Sequence, residues 1–326
     1  MSILSARQCY SSRREVLIVV SVVVVLVVLA SGCAGFRFDS NQASRIVSRP
    51  APTASPAHVA PVRLSYPSTG TPDPRQNMGD LYLPPAPAVP GGTLPLVVLV
   101  HGGGWQAAGG DLRGLAPVAR ALAARGIAVF NVEYRRVGSG GGWPTTLIDV
   151  RDATDFADTL YQRFPVLSRG RIVLVGHSAG GHLALWAAMH ARPAPRAVVS
   201  IAGPLDLTYA ALHGDRNVTK LLGGRPDQVP ARYALADPSR LPAPTLPVVL
   251  IQGTRDRVVP THLIEHYLED ITGPVRPVAI SLKGATHTSP VIPGRTGFMT
   301  VIDTITRLAH SAPGFLEGGR VRVQIR

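Results

Sequence analysis

Short runs built almost wholly from Val, Ile, Leu and Ala, each handed on to a stretch of helical spacing, leave this chain few folds to choose from. The runs are Leu96 to Val100, Ile127 to Tyr134, Arg171 to Val175, Ala197 to Ala202, Pro247 to Gln252 and Pro277 to Leu282. A strand that is apolar along its whole length must be covered on both faces, which is the condition of a strand inside a parallel sheet. Helical stretches near Leu112 to Arg125, from Pro144 to Phe164, from His182 to His190 and from near Pro260 supply the cover. The alternation predicts an α/β fold with a mostly parallel twisted sheet and helices on both faces. Two further short strands are expected at Val62 to Tyr66 and Asp80 to Leu83. Residues 62–312 suffice for one well-buried domain, and no internal repeat is visible. The connection from Thr208 to Leu241 is too short for a large lid and is expected to form a small cap over an open pocket. Trp105, Trp143, Leu205 and Leu207 are candidate wall residues, with plain core packing at least an equal reading for each.

Two glycine-rich loops carry the chemistry. The run Arg171 to Val175 empties into Gly176-His177-Ser178-Ala179-Gly180, a Gly-x-Ser-x-Gly at a strand-to-helix turn. Such a turn pushes the serine hydroxyl out of the sheet, so Ser178 is the candidate nucleophile. By itself the motif is weak, because a serine in a tight turn often only caps the next helix. The run Leu96 to Val100 empties into His101-Gly102-Gly103-Gly104-Trp105. Attack by a serine on a carbonyl creates an oxyanion that must meet donors already aimed at it. The amides of Gly103 and Gly104, with that of Ala179, are assigned to that task. A phosphate loop would continue Gly-Lys-Ser/Thr, and here Trp105 follows.

A serine hydroxyl needs a base within hydrogen-bond reach. Of the ten histidines, His58 lies in a Pro-rich stretch, His101 and His177 belong to the two loops, His182, His190 and His310 fall on helical stretches, and His213 lies in the cap connection. His287, in the loop after the last strand, is the candidate base. Asp256 ends the loop after the preceding strand and is the candidate acid, with Asp206 and Asp237 as less well placed alternatives. Asp256 could instead pair with Arg255 or Arg257. His262, Glu265 and His266 show the His-x-x-Glu-His spacing of some zinc peptidases. Only Glu269 and Glu317 remain beyond them as glutamate ligands, so the segment reads as an amphipathic helix and no metal is expected.

These motifs, with Val132 to Arg136, Gly141 to Pro144 and Asp149, resemble the α/β-hydrolase superfamily over Val62 to His310. Within it the chain is similar to the kynurenine formamidase-like and feruloyl-esterase-like branch, near the hormone-sensitive-lipase-like esterases. The order Ser178, Asp256, His287 is that of the superfamily. The resemblance implies a serine esterase acting on short acyl or aryl esters, with no cofactor and no obligate protein partner. Tyr134, Arg135 and Asp149 read as scaffold. The nearest rival is an amidase of arylformamidase type; a binding protein of the same fold would have a broken triad, and all three positions are intact. The lipase-like branch has an apolar amino-terminal cap where this chain is Pro-rich, which argues against long-chain lipid substrates.

The amino terminus speaks to location. Arg13-Arg14 precede an almost unbroken Val, Leu and Ile run from Leu17 to Ala30, followed by Ser31-Gly32-Cys33. A charged start, an apolar middle and small residues at the end make an export signal, and the run is short against the roughly 20 residues of a bilayer-spanning helix. Leu29 to Cys33 resembles a bacterial lipobox, which implies lipidation at Cys33, removal of residues 1–32 and anchoring to the outer face of the cytoplasmic membrane; the alternative is an uncleaved signal anchor. The arginine pair also resembles a twin-arginine signal. Cys9 and Cys33 are the only cysteines, so the exported domain would hold no disulfide. Residues 33–61 read as a Pro/Ala/Ser-rich tether and 313–326 as a basic tail. The net charge of +13 invites a nucleic-acid reading, but lysine occurs only at Lys220 and Lys283 and the arginines are scattered, so no nucleic acid is expected.

Overall fold

The computed structural model describes residues 60–84, 92–273 and 275–311. Eight strands build one sheet: β1 (Val62–Ser65), β2 (Met78–Tyr82), β3 (Leu94–Val100), β4 (Ala128–Val132), β5 (Leu167–His177), β6 (Ala197–Ile201), β7 (Val248–Gly253) and β8 (Val278–Leu282). Their spatial order is β1-β2-β4-β3-β5-β6-β7-β8. β2 pairs antiparallel with both β1 and β4, and every other pairing is parallel.

Period-two alternation sorts each central strand between two cores. Leu96, Val98 and Val100 of β3 and Ile172 and Leu174 of β5 pack on one face, while Val97, Leu99, Val173 and Val175 pack on the other. The first face is covered by α2 (Thr145–Asp155), α3 (Ala157–Arg163), α4 (Ala179–Ala188) and α8 (His262–Asp270), the second by α1 (Ala116–Ala123) and α9 (Phe298–His310). In α9 the buried residues Phe298, Val301, Ile302, Ile305, Leu308 and Ala309 recur at the spacing of one helical stripe. Full burial of a Leu or Val side chain contributes about 1.5–3 kcal/mol, so these two cores dominate what holds the sheet.

Three departures from the expected elements have local causes. The helix expected from Pro144 to Phe164 is two helices. The Thr154 hydroxyl donates to the Val150 carbonyl and the Phe156 amide is shared between the Asp152 and Thr154 carbonyls, which tightens the last turn of α2. β5 begins at Leu167 rather than Arg171, because Leu94 pairs with Leu167 across an irregularity in the ladder before Leu96 joins Ile172. The cap connection is itself helical: α5 (Leu207–Leu212), α6 (Arg216–Leu222) and α7 (Pro230–Ala236) follow one another. Asp206 accepts from the Tyr209 amide at the start of α5, and Asp215 from the Asn217 and Val218 amides at the start of α6.

Candidate active site

β5 ends at His177 and α4 begins at Ala179, so Ser178 alone makes the turn. It does so at φ 55° and ψ −125°, a conformation that costs an L residue on the order of 1–3 kcal/mol. The flanking glycines permit the turn by close approach: a Cβ on Gly176 would stand 1.9 Å from the Gly180 carbonyl oxygen, and one on Gly180 2.2 Å from that of Val100. The other non-glycine residues with positive φ, among those described, are Trp105 in the loop after β3 and Ala202 just after β6. Strained backbone thus gathers at the carboxyl ends of three adjacent strands, where open α/β sheets hold their ligands.

Ser178, His287 and Asp256 come together there from three separate loops. The Ser178 Oγ stands 2.9 Å from His287 Nε2, and His287 Nδ1 stands 2.8 Å from Asp256 Oδ2. A carboxylate can only accept, so Nδ1 carries the ring proton and the bare Nε2 accepts from the serine hydroxyl. The carboxylate is itself held: Oδ1 accepts from the Val258 and Val259 amides, and Oδ2 also accepts from Gln252 Nε2. Burial pushes the Asp256 carboxyl up, but the His287 hydrogen bond, the two amides and the His287 charge outweigh it and hold it below the usual carboxylate range. No ion pair joins Asp256 to Arg255 or Arg257 among the described residues. Asp206 and Asp237 are engaged elsewhere, Asp206 at the start of α5 and Asp237 with the Thr208 and Ser239 hydroxyls.

The loop after β3 is set by its carbonyls. Those of His101, Gly103, Gly104 and Trp105 accept from the Tyr134 hydroxyl, the Gln106 amide, the Gln106 side chain and the Val137 amide. With those oxygens engaged, the peptide planes are fixed. The amides of Gly103, Gly104 and Ala179 have no protein acceptor among the described residues, and all three residues line the cavity that holds Ser178 and His287. They are thereby free to meet an oxyanion.

Three supports lay outside what the sequence disclosed. Gln252 bridges Asp256 Oδ2 and the Val259 carbonyl. His177 donates from Nε2 to the His287 carbonyl, tying the base-bearing loop to the nucleophile strand. Glu133 takes His101 Nε2 at 2.9 Å and the Leu112 amide, and His101 stacks on Tyr134. Only Glu133 had a signal, its place beside the scaffold pair Tyr134 and Arg135. Arg135 grips Asp149 through its amide and guanidinium, well away from Ser178's partners.

Burial lowers His177 and His182 to about 4, with the nearby His287 charge adding to the effect at His177. An unfolded histidine titrates near 6.5, so between about pH 6.5 and 4 the unfolded chain binds protons that the folded one refuses. Stability from these two groups is therefore complete above pH 6.5 and is lost as pH falls toward 4, by up to roughly 3 kcal/mol each. His182→Gln keeps a donor for the Ala236 carbonyl, which His182 Nε2 now serves, and removes the titration. The variant should lose visibly less stability than the parent between pH 7 and 5, measured as urea midpoints. Equal losses would contradict the assignment.

The cavity, of about 830 Å³, is bounded by the Gly102 to Gly104 loop, Gln106, Asp111, Arg113 to Leu115, Asp215 and Asn217 of the cap, and the apolar Val258, Val259, Val291 and Ile292. Trp105 lines it as expected. Leu205 and Leu207 do not: both are fully buried in the core on the α4 face, and Trp143 packs against that core. His262 and His266 pack around Tyr209 with His213, in the manner of surface aromatic packing, and no group of three His, Cys, Asp or Glu among the described residues is disposed to hold a metal. Among the described residues no helix is long and apolar enough to cross a membrane. Cys33, the signal, residues 33–59 of the tether and the basic tail lie outside the described residues.

Comparison with known proteins gives this arrangement its relatives. The chain is 27% identical over 226 residues to Esterase LipC of Mycobacterium tuberculosis (strain ATCC 25618 / H37Rv), an alignment covering 62% of this chain and 55% of that protein. It spans less than two thirds of the length of each curated relative it matches. Among solved structures, a bacterial heroin esterase superposes with a TM-score of 0.65 at 23% identity, covering 79% of this chain and 86% of that one. A truncated carbohydrate esterase from gut microbiota gives 0.64 at 18%, covering 78% and 99%. Both share the α/β-hydrolase fold described above. The profile of the BD-FAE family matches residues 79–268, which take in both glycine loops, Ser178 and Asp256. With more than half of its length matched by that profile, the chain belongs to the BD-FAE family.

Proposed function

We propose that this protein is a serine carboxylesterase that hydrolyses short acyl or aryl esters through an acyl-enzyme. The observation that carries the reading is the unbroken hydrogen-bonded chain from Asp256 through His287 to Ser178. Ser178 Oγ attacks the ester carbonyl carbon as its proton passes to His287 Nε2, and the carbonyl oxygen takes the electron pair, facing the Gly103, Gly104 and Ala179 amides. The carbon–alcohol bond then breaks and His287 returns the proton to the departing oxygen. Water gives a proton to His287 as it attacks the acyl carbon; the bond from that carbon to Ser178 Oγ then breaks, His287 returns the proton to Oγ, and the acid leaves. Asp256 remains ionised throughout, holding the imidazole's orientation and offsetting its transient charge. The esterase descriptions of the sequence relative and of the structural neighbours support this reading, as does the open cavity with its apolar edge.

A fluorophosphonate should label the protein at Ser178 and abolish hydrolysis of p-nitrophenyl acetate. Label found on another residue, or activity that survives full labelling, would defeat the reading. We further propose that the protein is exported and anchored through lipidated Cys33. Cys33→Ala should abolish incorporation of labelled palmitate and leave residues 1–32 uncleaved, read as a larger intact mass; unchanged incorporation would rule out the anchor.

A further inference from the structure

We infer that the leaving-group side of this site is built for an alcohol that carries an anionic group, with Arg255 and Arg257 as its recognition residues. The inference rests on the esterase reading and deepens it. His287 must hand its proton to the departing oxygen, so the alcohol lies within reach of Nε2, on the side away from the Gly103 and Gly104 amides. A second cavity, of about 840 Å³, adjoins the first and shares Val258, His287 and Thr288 with it. Arg255 and Arg257 line it, both exposed, together with Thr254 and Thr286.

What makes the two guanidiniums available is where Asp256 points. Its side chain is wholly buried, and its oxygens are committed to His287, Gln252 and the Val258 and Val259 amides. No carboxylate among the described residues pairs with either arginine, whereas Arg113, at the other cavity, is held by Asp111. The opposite wall carries Asp215, which has no cationic partner among the described residues. The cap residues that line the first cavity, Asp215 and Asn217, carry no positive charge, so the unpaired positive charge lining the two cavities is that of Arg255 and Arg257. A phosphate, sulfate or carboxylate on the alcohol finds two donors of fork geometry there, suited to planar or tetrahedral oxyanions.

The test compares 4-sulfophenyl acetate with neutral 4-carbamoylphenyl acetate, leaving groups of similar acidity, on the full chain purified in detergent. Active sites are counted by fluorophosphonate titration. In about 0.05 M salt the parent should favour the sulfonate in kcat/KM by roughly 10-fold, and the ratio should fall toward one in about 1 M salt, where screening reaches within about 3 Å. The ratio should also fall toward one in the doubly substituted Arg255→Gln, Arg257→Gln variant. Both side chains are exposed, so the fold should tolerate the change, and the thermal midpoint checks it. Neutral-ester turnover and labelling with no sulfonate preference, or a preference that survives the double substitution, overturns the subsite and leaves the esterase reading standing. No turnover of either ester and no label at Ser178 overturns both.

Discussion

Ser178→Ala should lower kcat for p-nitrophenyl acetate by about 10⁶-fold, the loss found when a triad nucleophile is removed. The effect is large because serine, histidine and aspartate act as a unit: without the Oγ there is nothing for His287 to activate and no acyl-enzyme to form. A residual rate of 10³- to 10⁴-fold over water is expected from the free amides of Gly103, Gly104 and Ala179, whose positions owe nothing to the hydroxyl. Stability should scarcely move. Alanine retains the Cβ, so the backbone strain at φ 55° is neither relieved nor increased, and one hydrogen bond to His287 is worth about 1 kcal/mol. A thermal midpoint near the parent's, together with the kinetic loss, separates chemistry from folding. Turnover within tenfold of the parent would remove Ser178 from the mechanism.

The parts of this site that could be read in the sequence are those whose signal is local. A fully apolar run such as Leu96 to Val100 announces burial on both faces, and a glycine on each side of Ser178 announces backbone that no side chain can enter. The grouping of Ser178, Asp256 and His287 became legible because they follow the strands β5, β7 and β8 in that order, a property of chain order. Contacts between distant segments left no such trace. Leu205 and Leu207, next to the cap, read equally as pocket wall or as core; the start of α5, fixed by Asp206, turns them into the core. Gln252 is one polar residue at the end of an apolar strand, and nothing in its neighbours says that its amide reaches Asp256. His177 lies beside the nucleophile, yet its partner is a carbonyl 110 positions away. The cap helices α5, α6 and α7 were hidden by composition, since Gly, Pro and Arg suggest a loop while aspartate caps and a proline at the first turn of α7 start helices. The helix break at Phe156 depends on one hydroxyl, Thr154, bonding backward.

Asp256→Asn should cost about 10⁴-fold in kcat, by tautomer rather than by loss of structure. The two oxygens of Asp256 do different work. Oδ1 accepts from the Val258 and Val259 amides, which cannot turn away, so the amide oxygen of the substituted side chain must occupy that place. Its NH₂ then stands where Oδ2 stood, facing His287 Nδ1. Two donors cannot share a hydrogen bond, so the imidazole must leave Nδ1 bare and carry its proton on Nε2, which points at Ser178. The serine then faces a donor and has no base. Gln252 can adjust by turning its Oε1, which has no partner in the folded protein, toward the new NH₂, at the expense of its bond to the Val259 carbonyl. Folding should therefore survive with a loss of about 1 kcal/mol. Rate should recover in part as pH rises and hydroxide generates alkoxide without help from His287, so a kcat that climbs steadily through alkaline pH is the mark of the wrong tautomer. A variant that is slow but keeps the parent's pH profile would mean that Asp256 only buttresses the loop, and that His287 takes its orientation from elsewhere.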